Sequence, residues 1–74
     1  MADGKNLPVQ VTAVPGPNAE VMLDRPMPVV EVLERVSFPT GQFTCIQVNG
    51  AFVQRAHVVN PGDIIILTAN IAGA

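Results

Sequence analysis

The sequence predicts an α+β domain in which one helix packs across one face of a mixed β-sheet. Three observations support this fold class. Apolar and polar residues alternate in segments of both halves of the chain, which is typical of half-buried strands. A single segment between them carries apolar residues at helical spacing. Most of the 6 glycines and 7 prolines lie between these segments and mark turns.

The first two strands are predicted to form a hairpin. Apolar and polar residues alternate within residues 7–14, so that Val9 and Val11 lie on one face of the strand. Residues 15–18, Pro-Gly-Pro-Asn, can continue neither a helix nor a strand ladder and therefore predict a turn. Residues 20–23 resume the alternation, so a β-hairpin is the simplest interpretation.

A short helix of about two to three turns is predicted next. Four apolar residues fall at i, i+3, i+4 and i+7, on one helical face: Val29, Val32, Leu33 and Val36. Pro28 suits the first turn, where its missing N–H is no loss.

A second hairpin is predicted around Asn49-Gly50, because both residues tolerate the positive φ of a tight hairpin turn. Residues 43–48 form its first strand, and residues 51–54 form the return strand. The alternation places Thr44, Ile46 and Val48 on one face. It places Phe43, Cys45 and Gln47 on the opposite face.

The last strand is predicted at residues 64–68, which are apolar on both faces and therefore suit the centre of a sheet. Residues 55–59 form an irregular connection with a short strand at its end, and residues 60–63 form a sharp turn. The predicted order is strand, strand, helix, strand, strand, strand.

Composition bounds the domain organisation and the partners. We expect a flexible arm at residues 1–6, a single domain at residues 7–69 and a flexible tail at residues 70–74. The net charge of -2 and the scattered basic residues argue against nucleic acid as a partner. No apolar run approaches the length of a membrane span, and the N-terminus lacks the order of a signal peptide, so we expect a cytoplasmic protein.

The chain is poor in catalytic side chains, and we do not expect an enzyme. It has one serine, one cysteine and one histidine. Cys45 and His57 would form a nucleophile and base only if folding brought them together. Cys45 is better interpreted as a packed strand residue, and His57 as a solvated loop residue. Ser37 suits local backbone hydrogen bonding. A single cysteine permits no internal disulfide, and we expect no metal site.

Two segments and the C-terminus carry a resemblance to a known family. Residues 46–53 read Ile-Gln-Val-Asn-Gly-Ala-Phe-Val, residues 58–67 read Val-Val-Asn-Pro-Gly-Asp-Ile-Ile-Ile-Leu, and residues 71–74 read Ile-Ala-Gly-Ala. In this order, after a hairpin and a helix, they resemble the ThiS/MoaD family of ubiquitin-like β-grasp sulfur carrier proteins. The resemblance covers residues 7–74. It implies a β-grasp fold, with a mixed five-stranded sheet, one helix on one face and the element order ββαβββ.

The resemblance implies a carrier that acts through its own C-terminus. In the family, an adenylating enzyme of the ubiquitin-activating type uses ATP and Mg²⁺ to activate the terminal carboxylate. Sulfur then displaces AMP, and the resulting thiocarboxylate donates its sulfur to a synthase in cofactor biosynthesis. Of the pathways served by the family, thiamine is favoured here over molybdopterin. The carrier itself binds no cofactor.

The family ends in Gly-Gly, so the resemblance makes Gly73 and Ala74 the reactive terminus. Ile71 and Ala72 would thread the partner's channel, which favours small side chains. Ala74 replaces the family's terminal glycine. A methyl group does not prevent carboxylate chemistry, but it can obstruct the channel. A working variant, a substitution made for study and a member that lost its activity are the three interpretations.

One helix covers only one face of a five-stranded sheet, so part of the 49% hydrophobic content must lie on the other face and mark a docking surface. Its expected members are Phe43, Cys45, Phe52, Val53, Arg55 and either Ile65 or Leu67. The alternative function is a β-grasp binding or regulatory module that acts through this surface without tail chemistry. In this alternative, the chain resembles the TGS domains of tRNA synthetases and regulatory GTPases, which also carry an Asn-Gly hairpin and a Gly-Asp turn.

Overall fold

The computed structural model describes residues 6–41 and 43–69, and the expected arm at residues 1–6 and tail at residues 70–74 therefore lie almost wholly outside the described residues. The described chain is α+β, with a mixed five-stranded sheet and one short helix, as the sequence predicted. Its elements are β1 (Leu7–Val14), β2 (Asn18–Leu23), β3 (Met27–Pro28), α1 (Val29–Glu34), β4 (Cys45–Val48), β5 (Ala51–Val53), β6 (Val58–Val59) and β7 (Ile64–Thr68).

Strand β7 lies in the centre of the sheet, whose strand order is β2-β1-β7-β4-β5. It pairs in parallel with β1, where Val11 lies opposite Ile65, and antiparallel with β4, where Val48 lies opposite the same residue. The hairpins β1–β2 and β4–β5 flank it on either side. The prediction of a central strand at residues 64–68 is confirmed.

The core lies on one face of the sheet, because strand side chains alternate between two faces and only one of these faces is covered. Fifteen hydrophobic residues are buried there, and none of the polar or charged residues in the described chain is buried. The core consists of Val9, Val11, Ala13, Val21, Leu23, Met27, Val29, Val32, Leu33, Phe43, Ile46, Val48, Val59, Ile65 and Leu67.

Helix α1 has six residues and is shorter than the sequence predicted. Its apolar face is buried as the spacing indicated, but Val36 lies beyond the helix end and is half-buried against the core. The cause is a tightened last turn. The N–H of Arg35 donates to the carbonyl of Val32 at 3.0 Å, and the N–H of Val36 donates to that of Leu33 at 3.2 Å. These i to i−3 bonds are the 3₁₀ pattern that ends many helices. No helix in residues 6–41 and 43–69 is long and apolar enough to cross a membrane.

The N-terminus of α1 is capped by backbone carbonyls, since Pro28 at the N-cap makes no side-chain cap. Val29 N–H donates to the carbonyl of His57 at 2.8 Å, and Val30 N–H donates to that of Arg55 at 3.1 Å. Next to these bonds, β3 and β6 form a separate two-stranded ladder. The predicted short strand at the end of residues 55–59 is thus confirmed as β6, whereas β3 carries no sequence signal of its own.

We expect Leu67→Ala to destabilise the domain by about 2 to 5 kcal/mol, because Leu67 is fully buried in the central strand and the change leaves a cavity. The matched control is Phe52→Ala, whose side chain is 72% exposed and should shift the free energy of unfolding by less than about 0.5 kcal/mol. Urea unfolding of both variants measures the difference. Equal midpoints for the two would show that this core assignment is wrong.

Gly62 should tolerate alanine poorly because it adopts φ +93°, a conformation that L side chains rarely adopt. An added Cβ would meet only Leu7 Cδ1 at 3.7 Å, so the penalty is backbone strain of about 1 to 2 kcal/mol. Gly41 is the control, since a Cβ there meets nothing within 4 Å and its φ lies outside the positive range. Thermal melts should give a clearly lower melting temperature for Gly62→Ala than for Gly41→Ala. A neutral Gly62→Ala would contradict the assigned turn.

Candidate functional site

The side of the sheet opposite the core forms the candidate site and is called the outer face. Its side chains alternate along the strands with the buried ones, and all of them are exposed or half-buried. The residues that characterise it are Gln10, Met22, Cys45, Phe52, Ile64 and Ile66.

The outer face carries large exposed apolar side chains. Phe52 is 72% exposed, Met22 52% and Ile64 49%. The strand register sets Phe52 opposite Gln47, and Gln47 opposite Ile66 in the central strand. An aromatic ring at the β5 edge and an aliphatic side chain at the centre therefore lie in one row across the sheet. Apolar surface of this kind on a small protein typically marks an interaction site.

The outer face is almost without charge. Glu20 is the only charged residue in the five strands of the described sheet. Its Oε2 accepts a hydrogen bond of 2.6 Å from Gln10 Nε2 on the neighbouring strand. The other polar groups on this face are amides and hydroxyls, such as Gln47 and Thr68. Depletion of charge around an aromatic side chain is characteristic of the centre of protein interfaces.

Several residues expected on the exposed face lie elsewhere. Phe43 is 3% exposed, and Ile65 and Leu67 are fully buried. Val53 is half-buried and packs against the core. The expectation that Phe43, Val53 and either Ile65 or Leu67 lie on the exposed face is therefore wrong. Of the other expected members, Phe52 and Cys45 lie on the outer face, whereas Arg55 follows β5 and is exposed.

Each misplacement has a physical cause. Phe43 precedes β4, and its N–H donates to the carbonyl of Thr40 at 3.1 Å, so the chain turns there and the strand alternation does not extend to it. Strand β7 is apolar on both faces, so hydropathy does not show which of its alternate residues face the core. In β7, the missed outer-face residues are Ile64 and Ile66. The polar Thr68, which shares their phase, is the sequence signal that would have identified them.

The reactive side chains of the described chain lie apart. Cys45 is half-buried on the outer face of β4, whereas His57 is exposed in the loop whose backbone caps α1 on the core side. Ser37 is exposed just after the helix. Across residues 6–41 and 43–69, no three histidine, cysteine or acidic side chains are grouped to hold a metal ion, and no pocket is present.

The expected reactive terminus, Gly73 and Ala74, and the expected threading residues, Ile71 and Ala72, lie outside the described residues. The described chain ends at Ala69, which is exposed and directly follows β7. Thr68, the last residue of β7, pairs with Val14 on one side and Cys45 on the other. The strand that precedes the C-terminal segment is therefore anchored on both sides up to its last residue.

Neither a scan against protein-family models nor a search of curated proteins returned a match for this chain.

Proposed function

We propose that the chain is a sulfur carrier protein of the ThiS/MoaD type, with a β-grasp fold and a C-terminus that becomes a thiocarboxylate. The observation that carries the proposal is the position of β7. This central strand is paired on both sides up to Thr68. After Ala69, the chain continues into a segment of small uncharged residues that ends Ile-Ala-Gly-Ala.

The arrangement of elements supports the β-grasp part of the proposal. A hairpin, a helix, a second hairpin and a last strand follow one another in the chain, which is the order that the family resemblance implies. The first and last long strands are parallel neighbours, so the sheet is mixed, and the core lies on one face only. Strands β3 and β6 are additions of two residues each at the helix N-terminus.

The proposed chemistry needs a folded sheet that stays in place and a C-terminal segment long enough to enter the partner's active site. A carboxylate is a poor acyl donor, and adenylation by the partner, with ATP and Mg²⁺, gives it a good leaving group. In adenylation, the carboxylate oxygen bonds to the α-phosphorus of ATP and pyrophosphate leaves. A sulfide nucleophile from the sulfur source then attacks the carbonyl carbon, the acyl C–O bond breaks, and AMP leaves. Six residues follow Thr68 and span at most about 20 Å when extended, enough to bring the carboxylate into an enclosed site while the sheet stays outside.

In this proposal, the outer face docks the adenylating enzyme and then the sulfur-accepting synthase. Its exposed Phe52, Met22 and Ile64 supply apolar contact area, and its near-neutral character avoids the desolvation of charges at the interface. We favour a synthase of the thiamine pathway over one of the molybdopterin pathway as the acceptor, and the cytoplasm as the location. The carrier is a protein co-substrate and not an enzyme.

The decisive product is a C-terminal thiocarboxylate. We expect the chain, produced with an N-terminal tag in its native host, to show by intact-mass spectrometry a species in which one oxygen is replaced by sulfur. Fragmentation should place the change at Ala74. The control is the same chain with a peptide extension after Ala74, which blocks the carboxylate and should show no sulfur.

The Ala74→Gly variant tests the departure from the family's Gly-Gly ending. If the alanine methyl hinders threading, this variant should carry more sulfur than the natural chain, because small misplacements of a reacting group reduce rates strongly. Absence of sulfur from both the natural chain and Ala74→Gly would refute the carrier proposal.

The exposed apolar face favours a second candidate, a binding or regulatory module that acts through its sheet without tail chemistry. Deleting Gly73 and Ala74 separates the two. A carrier keeps its partner affinity in large part but forms no thiocarboxylate and supports no sulfur transfer, whereas a binding module keeps all of its activity.

The variant Phe52→Ser provides the complementary test, since it removes the most exposed apolar side chain and leaves the core intact. Under either candidate, we expect it to weaken partner binding by roughly tenfold or more, the effect of losing an interface hot spot. Unchanged binding measured by calorimetry would exclude the outer face as the docking surface.

A further inference from the structure

We propose that Asn49 is a deamidation site whose modification opens the junction between the β4–β5 hairpin and the central strand β7. Asn49 is the only one of the five asparagines that is followed by glycine. Glycine has no side chain to shield its backbone nitrogen, so this nitrogen reaches the preceding carboxamide more readily than that of any other residue. The inference does not depend on the proposed sulfur chemistry.

The reaction needs only water. The backbone nitrogen of Gly50 bonds to Cγ of Asn49, the bond from Cγ to Nδ2 breaks, and ammonia leaves. Water then opens the five-membered imide at one of its two carbonyl carbons. The product is aspartate or the β-linked isoaspartate at position 49, and in both cases a carboxylate replaces a neutral carboxamide.

The folded chain uses both polar atoms of this carboxamide. Ile64 N–H donates to Asn49 Oδ1 at 3.0 Å, and Asn49 Nδ2 donates to Asp63 Oδ1 at 3.1 Å. The backbone N–H of Asn49 also donates to the carbonyl of Ile64 at 2.8 Å. Asn49 therefore pairs with Ile64 one step beyond the last pair of the β4–β7 ladder, Val48 with Ile65. Because its backbone turns at φ 54°, its side-chain oxygen supplies the acceptor that a backbone carbonyl supplies in a continuing ladder.

These contacts have two opposite consequences. They hold the carboxamide in place, so attack by Gly50 requires both side-chain hydrogen bonds to break. Once the reaction has occurred, the new carboxylate faces Asp63, whose other oxygen accepts from the N–H of Asn60 at 2.9 Å. The Nδ2 donor is lost and two negative charges meet at hydrogen-bond distance, which is destabilising. Deamidation is thus slow in the folded chain. Once it occurs, it removes the hydrogen bond between Asn49 and Asp63 that slowed the reaction.

The rate is tested on the full chain in mildly alkaline buffer, with peptide mass spectrometry that resolves the product at position 49. We expect slower deamidation than in a free peptide of residues 46–53. Asp63→Ala removes the acceptor of Nδ2 and should speed the reaction roughly fivefold, the factor that corresponds to a hydrogen bond of about 1 kcal/mol. The other four asparagines serve as internal controls. A folded chain that deamidates as fast as the peptide, or an Asp63→Ala rate equal to the natural one, would overturn the protection.

The consequence is tested with a charge-exchange pair. Asn49→Asp mimics the product and should lower the melting temperature, with a penalty that shrinks at high salt because the two carboxylates are exposed. Adding Asp63→Asn gives the pair one carboxamide donor and one carboxylate again, with their positions exchanged. The double variant should therefore recover most of the lost melting temperature. If Asn49→Asp leaves the melting temperature unchanged, or if the double variant melts no higher than Asn49→Asp, the proposed coupling is wrong.

Discussion

The insertion of β7 between two local hairpins holds the five-stranded sheet together. Each hairpin forms from neighbouring residues, but only β7 joins them into one sheet, and its Ile65 and Leu67 are fully buried. The start of β7 is fixed on both sides: Gln10 N–H donates to the carbonyl of Asp63 at 3.3 Å, and Asn49 N–H donates to that of Ile64 at 2.8 Å. Since β1 and β7 are parallel, the chain between them must cross over the sheet, and α1 lies in that connection.

A sheet covered on one face distributes its apolar residues in a way that favours a partner. The inward-facing residues and α1 form the core, and the outward-facing apolar residues have no covering element in the described chain. The apolar residues of the described strands thus divide between a core and an exposed, nearly neutral surface. The same central strand that organises the core leads into the C-terminal segment. The carrier function that we propose uses the sheet, its open face and the C-terminal segment.

Local patterns predicted most of the fold, and long-range contacts decided the rest. The turn at Asn49-Gly50 and the strands on either side follow from turn chemistry and alternation, which act between near neighbours. The end of α1 was not predictable because 3₁₀ bonds, and not residue spacing, terminate it. The phase of β7 was ambiguous because both of its faces are apolar, so hydropathy did not distinguish Leu67 from Ile66. The contact of Asn49 with Asp63 joins residues 14 apart in sequence, and no local pattern indicates it.

We propose that the C-terminal carboxylate is activated as an acyl adenylate. Exchange of labelled pyrophosphate into ATP measures this activation, with an adenylating enzyme of the ubiquitin-activating type from the same organism. We predict exchange that depends on the full chain and is absent when the chain stops at Ala72. An enzyme that exchanges pyrophosphate with another carrier from that organism, but never with this chain, would show that the C-terminus of this chain is not activated in this way.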